Sequence, residues 1–596
     1  MVLTVALAAM FGWVPGKIDA EQTERSLVIR VGDVAPKLEF KDIRFVRRAL
    51  NDIAGQRATV LVFATADCPV ARRYWPTIKR LEAQYRNRGV QFVAINVGAD
   101  DSIMNMAEQA MDYELEFPVL KDFDAVAART LGVTRVPSVV VLDRECRLRY
   151  RGRIDDQYQI GGTRPEATKH ELQDTLESLL SGREIATTET SVEGCLITVD
   201  ELRSPKGTVT FAEQVAPIAR KHCAGCHRPN TAAPFSLLNY QDFTSHADMI
   251  AEVVREQRMP PWYGSPKHGH FENRRGLTAD ERATVLHWVR SGKPRGDDSK
   301  LPSFDAPAEA FDKWLIGEPD LIVKELIGHT LPAEGVIPYR YSVLPHVFTE
   351  ETWIKSIQIL PDNPAVVHHC NTAYFQLGEK LSTRNFVTGF VPGGQPMTLP
   401  DGVAVRIPAG SVLGLQIHFV STGKPEQCRI AVGLKFARGT VQKQLRFHLL
   451  DDHKFAIPPG AAMHPVKVTR TLERDATGIG LFCHMHLRGR DMTFTAHRPD
   501  QSAEKLLVIP NFNFNWQHGY QWAPGQVHFP KGTQIEVLAH FDNSVFNTFN
   551  PDPTKTVREG PQSFDEMING FFFYVDSHEN LNLKLNPTSG TALPSN

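Results

Sequence analysis

Three sets of residues in this 596-residue chain have types and spacings suited to electron chemistry. Cys223-Ala-Gly-Cys226-His227 places two thiols so that they can bond covalently to the vinyl groups of a haem while His227 is carried under the iron. The bland alternative is half of a zinc site. Downstream, Met259 in Arg258-Met259-Pro260-Pro261-Trp262 offers a sixth ligand, with Met249, His268 and His270 as further choices, and a His/Met pair would raise the haem potential. A second set is a single thiol, Cys68, in Thr65-Ala-Asp67-Cys68-Pro69. The third comprises His368-His369, His418, His484-Met-His486 and Met567, imidazoles and a thioether of the soft kind that suits copper.

These side chains work only if the backbone presents them. Residues 59–66, 90–97 and 138–142 read as strands and 70–86 as a helix, an α/β alternation. Cys68 then sits at a helix start, whose dipole favours a thiolate. Residues 211–221 read as a helix entering Cys223, and 277–292 as one closing a helical segment. From about 316, short alternating runs separated by Gly, Pro, Asn and Asp give the pattern of all-β sandwiches. Leu413, Leu415, Ile417 and Phe419 alternate away from His418. On a strand through 480–486, His484 and His486 share one face while Ile479, Leu481, Cys483, Met485 and Leu487 form the other. Adjacent His368 and His369 point to opposite faces of a regular strand, so both can serve one ion only at a bulge or strand end, an irregularity that Pro361 and Pro364 just upstream favour. Breaks near 202–207, 292–304 and 437–443 divide the chain into 21–197, 208–298, 316–438 and 444–578.

Several of these patterns resemble known families. Arg135-Val136-Pro137-Ser138 before a strand resembles the cis-Pro loop facing the active cysteine of thioredoxin-like proteins. With Val31-Gly-Asp-Val-Ala-Pro36 it makes residues 21–197 similar to the redoxin and peroxiredoxin branch of that fold. The resemblance implies a catalytic Cys68 beside Pro137. Where dithiol enzymes carry a second cysteine three residues on, however, this chain has Ala71, and Leu61 stands where the peroxiredoxin motif around Thr65 and Cys68 has proline. Cys146 or Cys195 could resolve Cys68, or Cys68 could be structural. Residues 208–298 resemble an all-α cytochrome c domain, which implies one covalently bound haem c on Cys223, Cys226, His227 and Met259.

The order His-His, strand His, His-x-His, Asp565-Glu-Met567 over 316–578 resembles the copper type II ascorbate-dependent monooxygenases, the peptidylglycine and dopamine hydroxylase family. That resemblance implies two jelly-roll-like all-β sandwiches and two copper ions. One, on His368, His369 and His418, would store and pass an electron; the other, on His484, His486 and Met567, would bind O2. Peptide-amidating members hold the substrate carboxylate with an arginine and a tyrosine at the places of Phe482 and Phe571 here, so the implied substrate is a small hydrophobic or uncharged molecule. Phe512, Phe514, Trp516 and Trp522 could wall its pocket or pack the core.

At about 100 to 200 residues per domain the length calls for several domains, and 42% hydrophobic with 22% charged residues describes a chain that folds. With 66 Lys+Arg against 68 Asp+Glu, no broad basic surface favours nucleic acid. The apolar stretch 2–14 is shorter than the roughly 20 residues of a stable membrane span. It reads as the core of an export signal within 1–20, or as a buried strand. Covalent haem attachment in bacteria is periplasmic and agrees with export. The sequence thus predicts a multidomain, periplasmic, O2-using copper monooxygenase, fed by ascorbate or a periplasmic redox protein, with the tethered haem as donor. Its rivals are a non-hydroxylating copper/haem electron-transfer or sensing protein and a thiol peroxidase or thiol-redox protein acting through Cys68.

Overall fold

Ala58–Ala64 (β1) and Val90–Asn96 (β2) are runs of Val, Ile, Phe and Ala buried along almost their whole length, a pattern that demands cover on both faces of a sheet. In the computed structural model, which describes residues 28–159, 161–198, 207–305, 310–379 and 381–594, they pair in parallel. Ser138–Asp143 (β3) lies antiparallel on the other side of β1, within a seven-stranded sheet. The helix Pro69–Tyr85 (α1) lays Tyr74, Trp75, Ile78, Leu81 and Tyr85 into the same core. Pro69 suits its first position, where no N–H is needed and φ is already helical. The predicted strands and helix of this α/β domain lie within two residues of these bounds. The proposed export signal at 1–20 lies outside the described residues.

The middle region, 207–305, is helical. The helix expected over 211–221 is divided, a π-helical turn at Phe211–Val215 leading into Ala216–His222. Tyr240–Ser245, Ala247–Arg255 and Ala279–Arg290 follow, the last begun by a reciprocal cap between Thr278 and Glu281. Trp288 is fully buried at the centre of this small core, its ring 5.8 Å from that of Phe211 and its indole N–H bonded to the Pro294 carbonyl at 3.0 Å.

The rest is β-structure. A sheet containing Leu321–Lys324, Thr352–Pro361, Val403–Ile407 and Ile430–Phe436 faces one ordered Arg340–Phe348, Ser411–Phe419, Val367–Gln376, Phe386–Phe390. Ile354, Ile357 and Ile359 meet Leu413, Leu415 and Ile417 in one core between them. We call Val367–Gln376 β4 and Ser411–Phe419 β5. A second pair of sheets follows. Arg446–Asp451, Asn569–Asp576, Ala476–His484 and Gly519–Gln521 face His464–Thr471, Gln534–Phe541, Gly489–His497 and Ala503–Ile509. Here Ala476–His484 is β6 and Asn569–Asp576 is β7.

The break expected at 437–443 carries two short strands, Thr440–Val441 and Lys443–Gln444. Beyond 578 the chain runs back to the first sheet pair. Leu583–Lys584 pairs with Thr440–Val441, and the Trp353 N–H donates to the Gly590 carbonyl at 2.8 Å.

The regions touch through polar contacts. Buried Lys41 of the α/β domain bonds Glu252 of the helical region at 2.8 Å and also Glu256. Arg490 donates to the Leu115 carbonyl at 2.8 Å. After Met259 the chain leaves the helices and hydrogen-bonds along the second sheet pair, Ser265 N–H to the Val508 carbonyl at 2.7 Å and Glu272 N–H to that of Gln521 at 2.9 Å. Among the described residues no helix is long and apolar enough to cross a membrane.

Candidate functional site

β4 and β5 are antiparallel neighbours that put His369 directly opposite His418. Their register shifts between Val367 and His369, so His368 is the extra residue of a bulge and both adjacent rings turn toward His418. One ligand atom from each of the three lies within 4.8 Å of the others. The nitrogens presented can be assigned. His368 Nε2 is bonded to Asn515 Oδ1 at 3.0 Å, an oxygen that only accepts, so Nε2 carries the proton and Nδ1 faces His369 Nδ1 at 3.0 Å. His418 Nδ1 is buried without a partner among the described residues. The Tyr339 ring packs on His369 and His418, centroids 5.5 and 4.7 Å away.

The second group comes from β6 and the segment before β7. β6 ends at His484, so His486 is not on the strand as expected but in the turn behind it. Ile479 also departs from the expected core face, because the pairing of β6 with β7 shifts between Gly478 and Gly480 and leaves Ile479 half-buried. His484 Nδ1 donates to Gln517 Oε1 at 2.6 Å and His486 Nδ1 to the Asp565 carbonyl at 3.3 Å. Both therefore keep Nε2 for a ligand, and that of His486 is buried with no partner among the described residues. Glu566, fully buried, accepts the N–H of His486 at 3.0 Å, of Arg488 at 2.6 Å and of Met567 at 3.3 Å. One carboxylate thus ties the two ends of this donor set together. Burial pushes its carboxyl up to about 7 despite those donors.

The two groups face one interior. The rings of His369 and His484 are 6.1 Å apart, and a cavity of about 150 Å³ is lined by His369, His484, His486, Met567, Phe482 and Phe571. Phe514 stands between the groups, stacked 4.6 Å from His368 and edge-on 6.0 Å from His486. Phe512 and Trp522 are instead buried core, and Trp516 stacks on His518. Burial holds all five imidazoles below the ordinary histidine range, His418 at about 3 and His484 at about 4, and neighbouring histidines add to it at His369, His418, His484 and His486. They are neutral near pH 7, with lone pairs available. This donor chemistry, two orphaned ring nitrogens and a thioether included, fits a soft late transition metal such as copper. Cys483 is buried on the core side of β6, where Leu481 also lies, and Cys370 is fully buried.

Asn515, Gln517, Tyr339 and Glu566 escaped sequence reasoning as site residues. The alternation of amides with aromatics in Asn511-Phe-Asn-Phe-Asn-Trp-Gln517 was the only local signal for the first two.

Cys223 follows the C-terminal end of Ala216–His222, and its carbonyl accepts from Cys226 N–H at 3.1 Å and His227 N–H at 2.9 Å, which winds the motif into a tight turn. His227 Nδ1 lies 3.1 Å from the Phe235 carbonyl, an acceptor only, so the proton is on Nδ1 and Nε2 keeps the lone pair that an iron would take. Burial pushes the Cys223 thiol up to about 12. Met259 is half-buried just past Ala247–Arg255. Of the other ligand candidates, His268 faces Glu108 of the α/β domain at 3.7 Å, Met249 is 52% exposed and His270 is exposed. A Cβ on Gly393 would stand 3.4 Å from Cys226 Sγ, so the 391–397 loop of the first sheet pair passes directly against the motif. Val391, Gly394 and Met397 of that loop line a cavity of about 160 Å³ that also reaches His369, His484 and His518.

Cys68 caps α1 and is 1% exposed. Its Sγ lies 2.7 Å from Cys195 Sγ and 3.6 Å from the Val136 carbonyl, next to Pro137, whose peptide bond is cis. Cys146, the other resolving candidate, sits in the turn after Asp143, at the opposite end of β3 from Pro137. Burial, and then the bond to Cys68, push the Cys195 thiol up to about 11.

Comparison with known proteins bears on the first of these regions. Residues 31–151 match the AhpC/TSA family. The thiol-disulfide oxidoreductase ResA of Geobacillus thermodenitrificans is 26% identical over 179 residues, 30% of this chain and 92% of that protein. The thioredoxin-like protein YneN of Bacillus subtilis is 25% identical over 145 residues, 24% of this chain and 82% of its own. Among solved structures, an uncharacterized conserved protein from Geobacillus kaustophilus is 27% identical and covers 29% of this chain and 93% of its own, with a TM-score of 0.26.

Proposed function

We infer that residues 31–151 act as a redoxin domain, thioredoxin-like in its α/β build, at the N-terminal side of a helical region and a long stretch of β-structure. We propose that the whole chain is an exported, copper-dependent monooxygenase that hydroxylates a small hydrophobic substrate, with a covalent haem c in the helical region as electron donor. The observation that carries this reading is the cluster of His368, His369 and His418, whose His369 meets His484, His486 and Met567 around one cavity. Copper in such donor sets supplies one-electron steps and the activation of O2. The chain's own residues do the rest. Asn515, Gln517 and the Asp565 carbonyl fix which ring nitrogen His368, His484 and His486 present, and Glu566 holds the His486 and Met567 backbones together. Phe482 and Phe571, rings 5.6 Å apart, wall the cavity with no charge to meet an anionic substrate.

The Gly393 loop supports the electron route, since it passes against Cys226 on one side and on the other lines the cavity of about 160 Å³ that reaches His369 and His484. Protein matured with a cytochrome c assembly system is expected to keep its haem through acid-acetone extraction, and Cys223→Ser with Cys226→Ser to release it. Haem that extracts freely from the unaltered protein removes this part of the reading.

The decisive experiment is to load the protein with copper, reduce it without O2 and add carbon monoxide. Binding at the Met567 site, lost in His484→Ala with His486→Ala, is the expected result, followed on O2 exposure by oxygen incorporation into members of a hydrophobic aryl and alkyl panel. A reduced, loaded protein that takes up no carbon monoxide is closed to O2, and the monooxygenase reading fails.

A second reading concerns the N-terminal domain by itself. The likeness to thiol-disulfide oxidoreductases and the approach of Cys195 to Cys68 favour thiol redox chemistry there, whatever the copper sites do.

A further inference from the structure

The redoxin domain lacks the usual second cysteine, because Ala71 stands three residues after Cys68 and is itself buried in the core. The chain supplies a replacement from well beyond the matched family region. Cys195–Leu196 forms a short strand antiparallel to Arg135–Val136, with Cys195 opposite Val136. It is pinned on both sides, Arg135 Nη1 donating to the Gly194 carbonyl at 2.7 Å and Ile197 N–H to that of Thr134 at 3.0 Å. Gly194 permits this approach, since a Cβ there would fall 2.0 Å from the Val136 carbonyl oxygen. The added strand therefore delivers Cys195 to the one place where its sulfur meets Cys68.

The two thiols differ in access. Cys68 is 1% exposed, whereas Cys195 is half-buried between exposed Glu193 and Leu196, the latter 62% exposed. A cleft lined by Tyr74, Pro137, Tyr158 and Val192 opens beside this segment. Closing the sulfurs from 2.7 Å to a disulfide of about 2.0 Å needs a shift of less than about 1 Å.

We propose that Cys68 and Cys195 are a redox couple that exchanges with external disulfides and dithiols, and that Cys195 is the entry thiol. This rests on the thiol-redox reading of the N-terminal domain and is independent of the copper reading. In the oxidising direction the Cys195 thiolate attacks an external disulfide, forming a mixed disulfide and releasing one external thiol. The Cys68 thiolate then attacks the Cys195 sulfur, forming the Cys68–Cys195 bond and releasing the second external thiolate, which takes up a proton. Two electrons pass to the external disulfide, and a dithiol reverses the sequence. The order of attack is opposite to that of a site whose buried resolving thiol lies one helical turn away, because here the helix-start cysteine is the hidden one.

The test uses the full chain in glutathione/glutathione disulfide buffers, with alkylation and peptide mapping. Oxidation is expected to yield a Cys68–Cys195 linked peptide in the unaltered protein and in Cys146→Ser. Cys68→Ser should accumulate a glutathione adduct on Cys195, and Cys195→Ser should react with glutathione disulfide at least about tenfold more slowly at Cys68, since exchange rates follow access. If Cys68 in Cys195→Ser reacts as fast as in the unaltered protein and no linked peptide forms there, the couple is overturned while the thiol-redox reading stands. If neither cysteine exchanges in any of these proteins, both fail.

Discussion

In His418→Ala the copper-loaded protein is expected to retain one ion instead of two, with affinity at the first histidine group lowered by at least about 100-fold, because losing even an outer-shell partner of a metal ligand typically costs 10- to 100-fold. The ion that remains should keep its Cu–S contribution in X-ray absorption of the reduced protein. Met567→Ile should do the reverse, abolishing the sulfur signal and sparing the three-histidine group. The contrast is demanding, since the rings of His369 and His484 lie only 6.1 Å apart. A sulfur signal that survives Met567→Ile would transfer the ligand role to a cysteine. Cys483 is the neighbour in sequence, but its burial on the core side of β6 makes that outcome incompatible with the fold described above.

Trp288→Ala is expected to unfold the helical region while the sheets persist. Truncating a large buried aromatic costs about 3–5 kcal/mol, and here the Pro294 carbonyl also loses its indole donor. Against the roughly 5–15 kcal/mol that stabilises a domain, this removes much of the margin of a core whose large members are few. Hydrogen exchange should rise across 207–305 with little change in β4 to β7. Uniform loss of protection would mean that the region does not unfold as its own unit.

Legibility in the sequence followed the range of the interactions. The strands around Cys68 and the helix behind it are local patterns, alternation and a Cys-Pro helix start, and they were readable. So was the need for a bulge at His368 and His369, because two adjacent rings can converge only if pairing slips. The end of β6 before His486 was not readable, since the strand stops where Glu566, eighty residues on, captures the His486 N–H. Glu566 itself was visible as part of Asp-Glu-Met, yet nothing local indicates that its carboxylate serves three N–H groups on two segments. Cys195 is the same case. Its role depends on Gly194 passing against Val136, a contact that no periodicity encodes.

The returning C-terminal segment sets an order of events during synthesis. Trp353 belongs to the first sheet pair and the Thr440–Val441 strand to the break that follows it, but the groups that complete them, the Gly590 carbonyl and Leu583–Lys584, come later in the chain than the whole second sheet pair. The second sheet pair is therefore synthesised before the Trp353 N–H of the first can find its acceptor. Until then the Thr440–Val441 edge stays open to pairing with another nascent chain. The two sandwiches thus finish maturing together, and a chain cut short near 578 would leave the earlier of them unfinished.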